Sequence, residues 1–216
     1  LMNRRPLIPR KTSWIRIAKL SLFQTVIQYL FFYVGLAHTT GVKASIIEAS
    51  NVFVAILIAS LIFRQEKLDK HKIIGRIAGF AGVVLININQ SGLDMSLSLT
   101  GEGFILLSTI AYAVSSVLIK IYSREDNPVM LSGWQFLLGG IIMILCGYLT
   151  GGSVSVWTAP SISMLFYLAA VSAVAYSLWG ILLKLNPVSK VAVFGFMNPV
   201  FGVILSALFL GEGQQA

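Results

Sequence analysis

Seven long apolar segments, separated by short polar connections, make up most of the chain. A helix needs about 20 mostly apolar residues to cross the roughly 30 Å hydrocarbon core of a membrane. Strands are excluded for such segments, because an open sheet cannot satisfy its backbone groups in lipid. The pattern therefore predicts an all-α polytopic membrane protein with seven transmembrane helices in this chain. The predicted spans cover about residues 20–37, 44–63, 73–90, 104–122, 129–149, 162–183 and 190–210.

The amino-acid composition agrees with this class. Hydrophobic residues make up 56% of the chain, charged residues make up 11%, and the mean hydropathy is +0.84. Soluble domains carry about a quarter charged residues. The connections are short, and the longest covers about 13 residues at 91–103. We therefore expect any activity to reside among the helices.

The basic residues are distributed unevenly between the two sides of the predicted membrane. If the spans alternate in direction, 15 of the 16 Lys and Arg residues fall on the side of the N-terminal arm, and only Lys43 falls on the other. Cytoplasmic loops are enriched in Lys and Arg, so the N-terminal arm is predicted to be cytoplasmic. Binding to nucleic acid or anionic lipid is the rival explanation of the basic arm. The orientation rule already accounts for the charge, so we expect membrane lipid around the protein and no nucleic-acid partner.

The first two spans match the last two at a shift of 147 residues. Span six is the fifth span after span one, so the second copy is expected to cross the membrane in the opposite direction. Inverted repeats are typical of secondary transporters, whose substrate site lies near the midplane between the repeats. The alignment therefore predicts an inverted-repeat helical bundle. It pairs Tyr29 with Tyr176, Lys43 with Lys190, and Asn51 with Asn198.

Two parts of the sequence resemble the EamA-type drug/metabolite transporters. Residues 198–212 read NPVFGVILSALFLGE, and the first-half counterpart reads SNVFVAILIASLIFRQEKL followed by IIGRIAGFAGVVLIN. In the first half, Val52 stands at the proline position and one extra residue precedes Glu66. The family has ten helices in two five-helix halves. The resemblance therefore implies that this chain covers helices three to nine, with two helices before Leu1 and one after Ala216.

The same resemblance implies a division of the chain and a function. Residues 1–90 would hold the last three helices of the first repeat, and residues 91–216 the first four helices of the second. The family moves small metabolites, which implies export of amino acids or related compounds across a bacterial inner membrane by alternating access. A lipid or lipid-intermediate flippase of the same fold and a non-transporting structural membrane fragment are the alternatives. The substrate, the direction, the coupling ion and the oligomeric state stay open, with proton coupling and a homodimer among the options.

The sequence lacks the motifs of ATP-driven pumps and of intramembrane hydrolases. It contains no G-x-x-x-x-G-K-[ST] loop and no H-E-x-x-H pair. Neither His38 nor His71 lies inside a predicted span, so a Ser–His hydrolase is not expected. Cys146 is the only cysteine, so a disulfide framework within the chain is excluded. We therefore expect no enzymatic activity, no catalytic residues, no cofactor and no metal.

Asn198 and Pro199 interrupt the last apolar segment near its start. Proline has no N–H and its ring obstructs the carbonyl group four residues earlier, which opens a helix locally. The Asn198 amide can either satisfy the freed backbone groups or face a central cavity. Its alignment with Asn51, which has no adjacent proline, favours the cavity.

Glu48 is the only acidic residue inside a predicted span, and it shares a helical stripe with Asn51. An ionisable residue inside a membrane is costly, which makes it a candidate functional residue. If Glu48 faces a cavity, it could carry a coupling proton or meet a cationic group of the substrate. Alternatively, it extends to the outer surface or pairs with Lys43.

Aromatic and amide side chains on the stripes of other spans complete the candidate site. Aromatic rings next to small hydroxyl groups suit an organic substrate with a flat or apolar part. Each of them could instead serve helix packing or a position at the membrane interface. The predicted substrate-binding residues are Gln28, Tyr29, Glu48, Asn51, Tyr112, Tyr176, Trp179 and Asn198.

Overall fold

The structure, a computed structural model, describes residues 7–66, 70–88, 98–153, 157–198 and 200–201. Every regular element in these ranges is helical, which confirms the predicted all-α class. The helices, numbered here in chain order, are α1 (Ser13–Leu36), α2 (Lys43–Ile62), α3 (Lys70–Ile88), α4 (Leu99–Tyr122), α5 (Pro128–Leu149), α6 (Ala159–Leu185) and α7 (Val188–Ala192).

Five of these helices are long and apolar enough to cross a membrane, namely α1, α2, α4, α5 and α6. They correspond to predicted spans one, two, four, five and six. The third predicted span forms α3, a helix of 19 residues whose most apolar stretch is Ile73–Gly82. The seventh predicted span begins with α7 and is followed as far as residue 201. Its remainder lies outside the described residues.

Helices α1 and α4 begin at least five residues earlier than the apolar pattern predicted. Helix α1 starts at Ser13, so it includes Arg16. Helix α4 starts at Leu99, which places Glu102 in its first turn. The expectation that Glu48 is the only acidic residue inside a span is therefore wrong. The physical reason is that a helix continues through charged residues where they find polar partners, whereas an apolar pattern ends at the first of them.

Side-chain caps mark the points where polar connections give way to helices. The Thr40 hydroxyl accepts a hydrogen bond of 3.3 Å from the Lys43 N–H before α2. The Asn127 side chain accepts one of 2.9 Å from the Val129 N–H, and proline follows it in the first turn of α5. Thr158 forms a reciprocal capping box at the start of α6. Each cap of this kind contributes about 1 kcal/mol to helix stability.

Several turns in the described part of the chain depart from α-helical geometry. Turns of π-helix occupy Ser21–Ile27 in α1, Ile58–Ile62 in α2 and Leu99–Gly103 in α4. A 3₁₀ turn, Val193–Phe196, follows α7. Pro199 lies outside the described residues, but this 3₁₀ turn contains Gly195, four residues before it. The helix is thus irregular at the place where a proline obstructs the backbone.

Polar contacts show which helix ends lie together. Arg16 Nη1 donates to Asp126 Oδ2 at 2.7 Å, which joins the start of α1 to the connection between α4 and α5. The Ser189 N–H donates to the Glu66 carboxylate at 3.3 Å, which joins the start of α7 to the chain after α2. We call this end of the bundle, where α1 begins, the basic end.

The opposite end of the bundle is joined through Glu102. Thr39 Oγ1 donates to Glu102 Oε1 at 2.6 Å, and Lys43 Nζ lies 3.5 Å from the same oxygen. These contacts bring the connection between α1 and α2 next to the start of α4. The helices therefore alternate in direction, as the count of basic residues on each side assumed.

Helix α4 occupies the centre of the described bundle and α6 lies at its edge. In the most apolar window of each helix, 56% of the α4 residues are buried, compared with 6% for α6. Helix association in a membrane depends on close packing more than on the hydrophobic effect, and small residues permit that packing. Buried Ala113 and Ser116 in α4, and Ala55 in α2, fit this requirement. The central position of α4 places its polar residues beside several neighbours.

Candidate functional site

A cavity of about 670 Å³ lies among α1, α2, α4, α6 and the beginning of the seventh span. Small-molecule sites typically measure about 300–1,000 Å³, so the cavity could hold a metabolite. Its walls are formed by Gln28, Ser45, Glu48, Ala49, Asn51, Val52, Ser108, Thr109, Tyr112, Ala175, Tyr176, Trp179, Phe194, Gly195 and Asn198.

The structure brings the residues predicted from the sequence together around this one cavity. The lining includes seven of the eight, namely Gln28, Glu48, Asn51, Tyr112, Tyr176, Trp179 and Asn198. The eighth, Tyr29, does not belong to the lining, but its hydroxyl forms a 2.9 Å hydrogen bond with the Tyr176 hydroxyl. Tyr29 therefore lies directly behind a cavity residue.

The two copies of the predicted repeat meet at this cavity. Tyr29 and Tyr176, which the repeat aligns, are bonded to each other. Asn51 and Asn198, the second aligned pair, both line the cavity. Asn198 belongs to the cavity lining, and its relation to the adjacent proline lies outside the described residues. The repeat alignment thus identified residues that converge in space.

Aromatic rings form one wall of the cavity. The Tyr112 and Trp179 rings are stacked, with centroids 6.3 Å apart and planes at 28°. Phe136 packs against the other cavity tyrosine, Tyr176, with a centroid distance of 4.5 Å. The Trp179 Nε1 atom is buried and donates to none of the described residues. The wall therefore offers flat apolar faces, whereas the unused Trp179 donor is closed off from the cavity.

Two amide oxygens at the cavity also have unused capacity. Gln28 Oε1 and Asn51 Oδ1 are buried and accept no hydrogen bond from the described residues. A buried polar atom without a partner costs about 1–3 kcal/mol. Both residues line the cavity, but the two oxygen atoms are themselves closed off from it. Either amide would therefore have to rotate before its oxygen could meet a molecule in the cavity.

Glu48 supplies the only carboxylate among the described lining residues, and none of those residues is Lys, Arg or His. Its side chain is exposed and has no ion pair within the described part of the chain. The alternative partner, Lys43, pairs with Glu102 instead. The described lining therefore combines amide and hydroxyl groups with one acidic group.

Sequence reasoning missed several lining residues, including Ser45, Thr109 and Phe194. Ser45 precedes Glu48 by three residues, so the helical stripe that led to Glu48 and Asn51 could have been extended back to it. Thr109 gave no comparable signal, and its hydroxyl donates to the Ile105 carbonyl at 2.9 Å. Phe194 is an apolar residue in an apolar segment, and nothing in the pattern distinguishes it from a residue facing lipid.

A second buried polar group lies outside the cavity, between α1 and α5. Gln135 Nε2 donates to Gln24 Oε1 at 2.8 Å. Both side chains are at least 98% buried, and Gly139 allows close approach of the helices one turn further along. This pair links the two helices and does not belong to the cavity lining.

Several named proteins are similar to this chain along nearly its whole length. An uncharacterised transporter of Archaeoglobus fulgidus is 30% identical, and the match covers 94% of this chain and 71% of that protein. The uncharacterised transporter YvbV of Bacillus subtilis is 26% identical, with 94% and 66% covered. A WAT1-related chloroplastic protein of Arabidopsis thaliana is 25% identical, with 96% and 52% covered. The chain thus spans about half the length of the Arabidopsis protein and about two thirds the length of YvbV.

The fold also has a counterpart among solved structures. One crystal structure aligns with a TM-score of 0.77 over 98% of this chain and 73% of the other chain, at 20% sequence identity. At this level of identity the likeness concerns the fold. The family model described as the EamA-like transporter family matches residues 1–88 and 99–214. This chain, a polytopic helical membrane protein, therefore belongs to the EamA-like transporter family.

Proposed function

We propose that the protein is a secondary transporter that exports small organic metabolites, such as amino acids or related compounds, across a bacterial inner membrane. The observation that carries the proposal is the cavity lined by residues of both aligned copies, Asn51 and Asn198 among them. A site at the junction of inverted repeats is the expected position for a transported substrate. Membership of a transporter family supports the same conclusion.

Alternating access is the mechanism that this arrangement favours. The cavity lies between two ends of the bundle that are each held by polar contacts, through Asp126 at the basic end and Glu102 at the opposite end. Opening of one end while the other stays closed would expose the cavity to one side at a time. The enrichment of Lys and Arg at the basic end supports its assignment to the cytoplasm.

The division of the chain into repeats belongs to the same proposal. We place residues 1–90 in the first repeat and residues 91–216 in the second. The boundary falls in a segment outside the described residues. The Tyr29–Tyr176 hydrogen bond would then join the two repeats beside the cavity. Glu48 is the proposed site for a coupling proton, because it is the carboxylate among the described lining residues.

A comparison of metabolite pools tests the proposal. Cells that express the protein would be compared with cells that carry an empty vector, and compounds would be measured inside the cells and in the medium. We expect at least one small metabolite to move outward only when the protein is present. Glu48→Gln should reduce that movement, whereas Glu125→Gln, at an exposed position of the basic end, should not.

The possible results separate the parts of the proposal. Inward movement of a compound would contradict export and retain transport. Outward movement that Glu48→Gln leaves unchanged would remove Glu48 from the mechanism. If no pool changes under any growth condition, the metabolite proposal fails. Movement of a fluorescent phospholipid between the leaflets of proteoliposomes would then support the flippase alternative.

A further inference from the structure

We propose that the cavity selects organic cations, specifically protonated amines that carry a flat apolar group, over carboxylates and over neutral compounds of the same shape. The inference rests on the proposed function, because it names the substrate class of the same cavity. It follows from three properties of the lining that point in the same direction: its charge, its hydrogen-bonding atoms and its aromatic faces.

The charge of the described lining is one-sided. Glu48 contributes a carboxylate, and no Lys, Arg or His among the described lining residues offsets it. The Lys43 ammonium, five residues before Glu48, pairs with Glu102 at 3.5 Å instead. A substrate carboxylate would meet a like charge without a counter-ion, whereas a substrate ammonium would meet an opposite charge. Within a membrane protein such a difference is only weakly screened.

Two amide oxygens of the lining residues are without a hydrogen bond from the described residues. They are Gln28 Oε1 and Asn51 Oδ1, and both are buried. An ammonium group presents three N–H donors and no acceptor. Glu48 is the residue three positions before Asn51, on the same stripe of α2. Rotation of the two amides would place their oxygens, together with the Glu48 carboxylate, around the three donors of a primary amine.

The aromatic wall favours a cation with a flat apolar body. Tyr112 and Trp179 lie stacked at 6.3 Å, and both line the cavity. The face of an aromatic ring attracts a cation, most strongly in tryptophan, and also packs against another flat group. A neutral compound would keep the packing and lose the attraction to the charge. An amino acid would carry its carboxylate into the acidic lining, so we expect the corresponding amine to bind more tightly.

Three probes of nearly equal size test the charge preference. They are phenethylamine as the cation, phenethyl alcohol as the neutral compound and phenylacetate as the anion. Binding to the protein in lipid nanodiscs would be measured by equilibrium dialysis, with protein-free nanodiscs as the correction for lipid partitioning. We expect the amine to bind at least about tenfold more tightly than the alcohol, and phenylacetate to bind more weakly than either.

Variants assign the preference to particular residues. Glu48→Gln should bring the ratio of amine to alcohol affinity close to one and leave the affinity for the alcohol within about twofold. Glu125→Gln, which removes a carboxylate that is 72% exposed at the basic end, should leave the ratio unchanged. Trp179→Leu should weaken amine binding more than alcohol binding, because leucine retains apolar contact and removes the ring face. It provides a second route if Glu48→Gln does not fold.

Each result decides for or against the inference. Equal affinity for the amine and the alcohol, or a preference that survives Glu48→Gln, would overturn it. Tighter binding of phenylacetate than of phenethylamine would also overturn it. The absence of binding by all three probes would do the same. The proposed function is decided separately by the metabolite pools: export of a neutral or acidic compound would retain the transporter and reject the cation preference. Absence of both binding and export would reject both.

Discussion

Replacing Gly139 with alanine tests how closely α1 packs against α5. A Cβ atom at Gly139 would lie 2.4 Å from Thr25 Cβ and 2.9 Å from Ser21 Oγ. Carbon atoms in good contact are about 3.5–4.0 Å apart, so the new methyl group overlaps Thr25 by more than an ångström. Thr25 Cβ is attached directly to the backbone and cannot rotate away. One of the two helices must therefore move.

The neighbouring glycine provides a matched control for the size of the effect. Overpacking a well-packed interior costs about 1–3 kcal/mol. A change from glycine to alanine in a helix otherwise gains roughly 0.5–1 kcal/mol. A Cβ atom at Gly140 would meet nothing within 4 Å, so Gly140→Ala should show only the gain. Gly139→Ala has the same helix gain, so the free energies of unfolding of the two variants should differ by the overpacking cost, about 1–3 kcal/mol, with Gly139→Ala the less stable.

The difference can be measured by titrating the purified protein in mixed micelles with sodium dodecyl sulfate while following helical circular dichroism. Gly139→Ala should unfold at a lower detergent fraction than the parent, and Gly140→Ala at an equal or higher one. Adding Thr25→Gly to Gly139→Ala should recover part of the loss, because it removes the atom that collides. Equal midpoints for the two alanine variants would refute the described packing of α1 on α5.

Two further contacts can be tested in the same titration. Tyr29→Phe and Tyr176→Phe should each lower the free energy of unfolding by about 0.5–1.5 kcal/mol, and the double variant by less than their sum, since both remove one hydrogen bond. Strictly additive losses would show that the bond is absent. Asp126→Asn should lower the free energy of unfolding by about 2–4 kcal/mol. The Asp126 carboxylate is only 7% exposed, and its removal leaves Arg16 without that partner. Glu125→Gln, 72% exposed, should cost less than about 1 kcal/mol, and equal losses at the two positions would contradict the difference in burial.

The helical architecture could be predicted because lipid imposes a simple requirement on the sequence. Each crossing segment must be helical, apolar and about 20 residues long. The ends of the helices were less predictable. Arg16 and Glu102 lie inside helices because each has a polar partner. Arg16 pairs with Asp126, and Glu102 accepts a hydrogen bond from Thr39. Those partners are distant in the sequence, so an apolar pattern contains no sign of them.

Much of the candidate site was predictable because its polar residues contrast with the apolar helices around them. Glu48 and Gln28 stand out in this way, and both line the cavity. Phe194 also lines it but has no such contrast. The π-helical turns and the pairing of Lys43 with Glu102 were not predicted either. They depend on which helices become neighbours, and the local sequence does not specify this.

Symmetry between the repeats was the more informative signal for the site. In an inverted repeat, aligned residues near the symmetry axis meet, whereas aligned residues far from it lie at opposite ends of the bundle. Tyr29 and Tyr176 are hydrogen-bonded. Lys43, by contrast, pairs with Glu102 at the opposite end, while its counterpart Lys190 lies in α7 at the basic end. Both observations agree with the predicted inverted repeat, whose axis would then pass through the middle of the bundle near the tyrosine pair, beside the cavity.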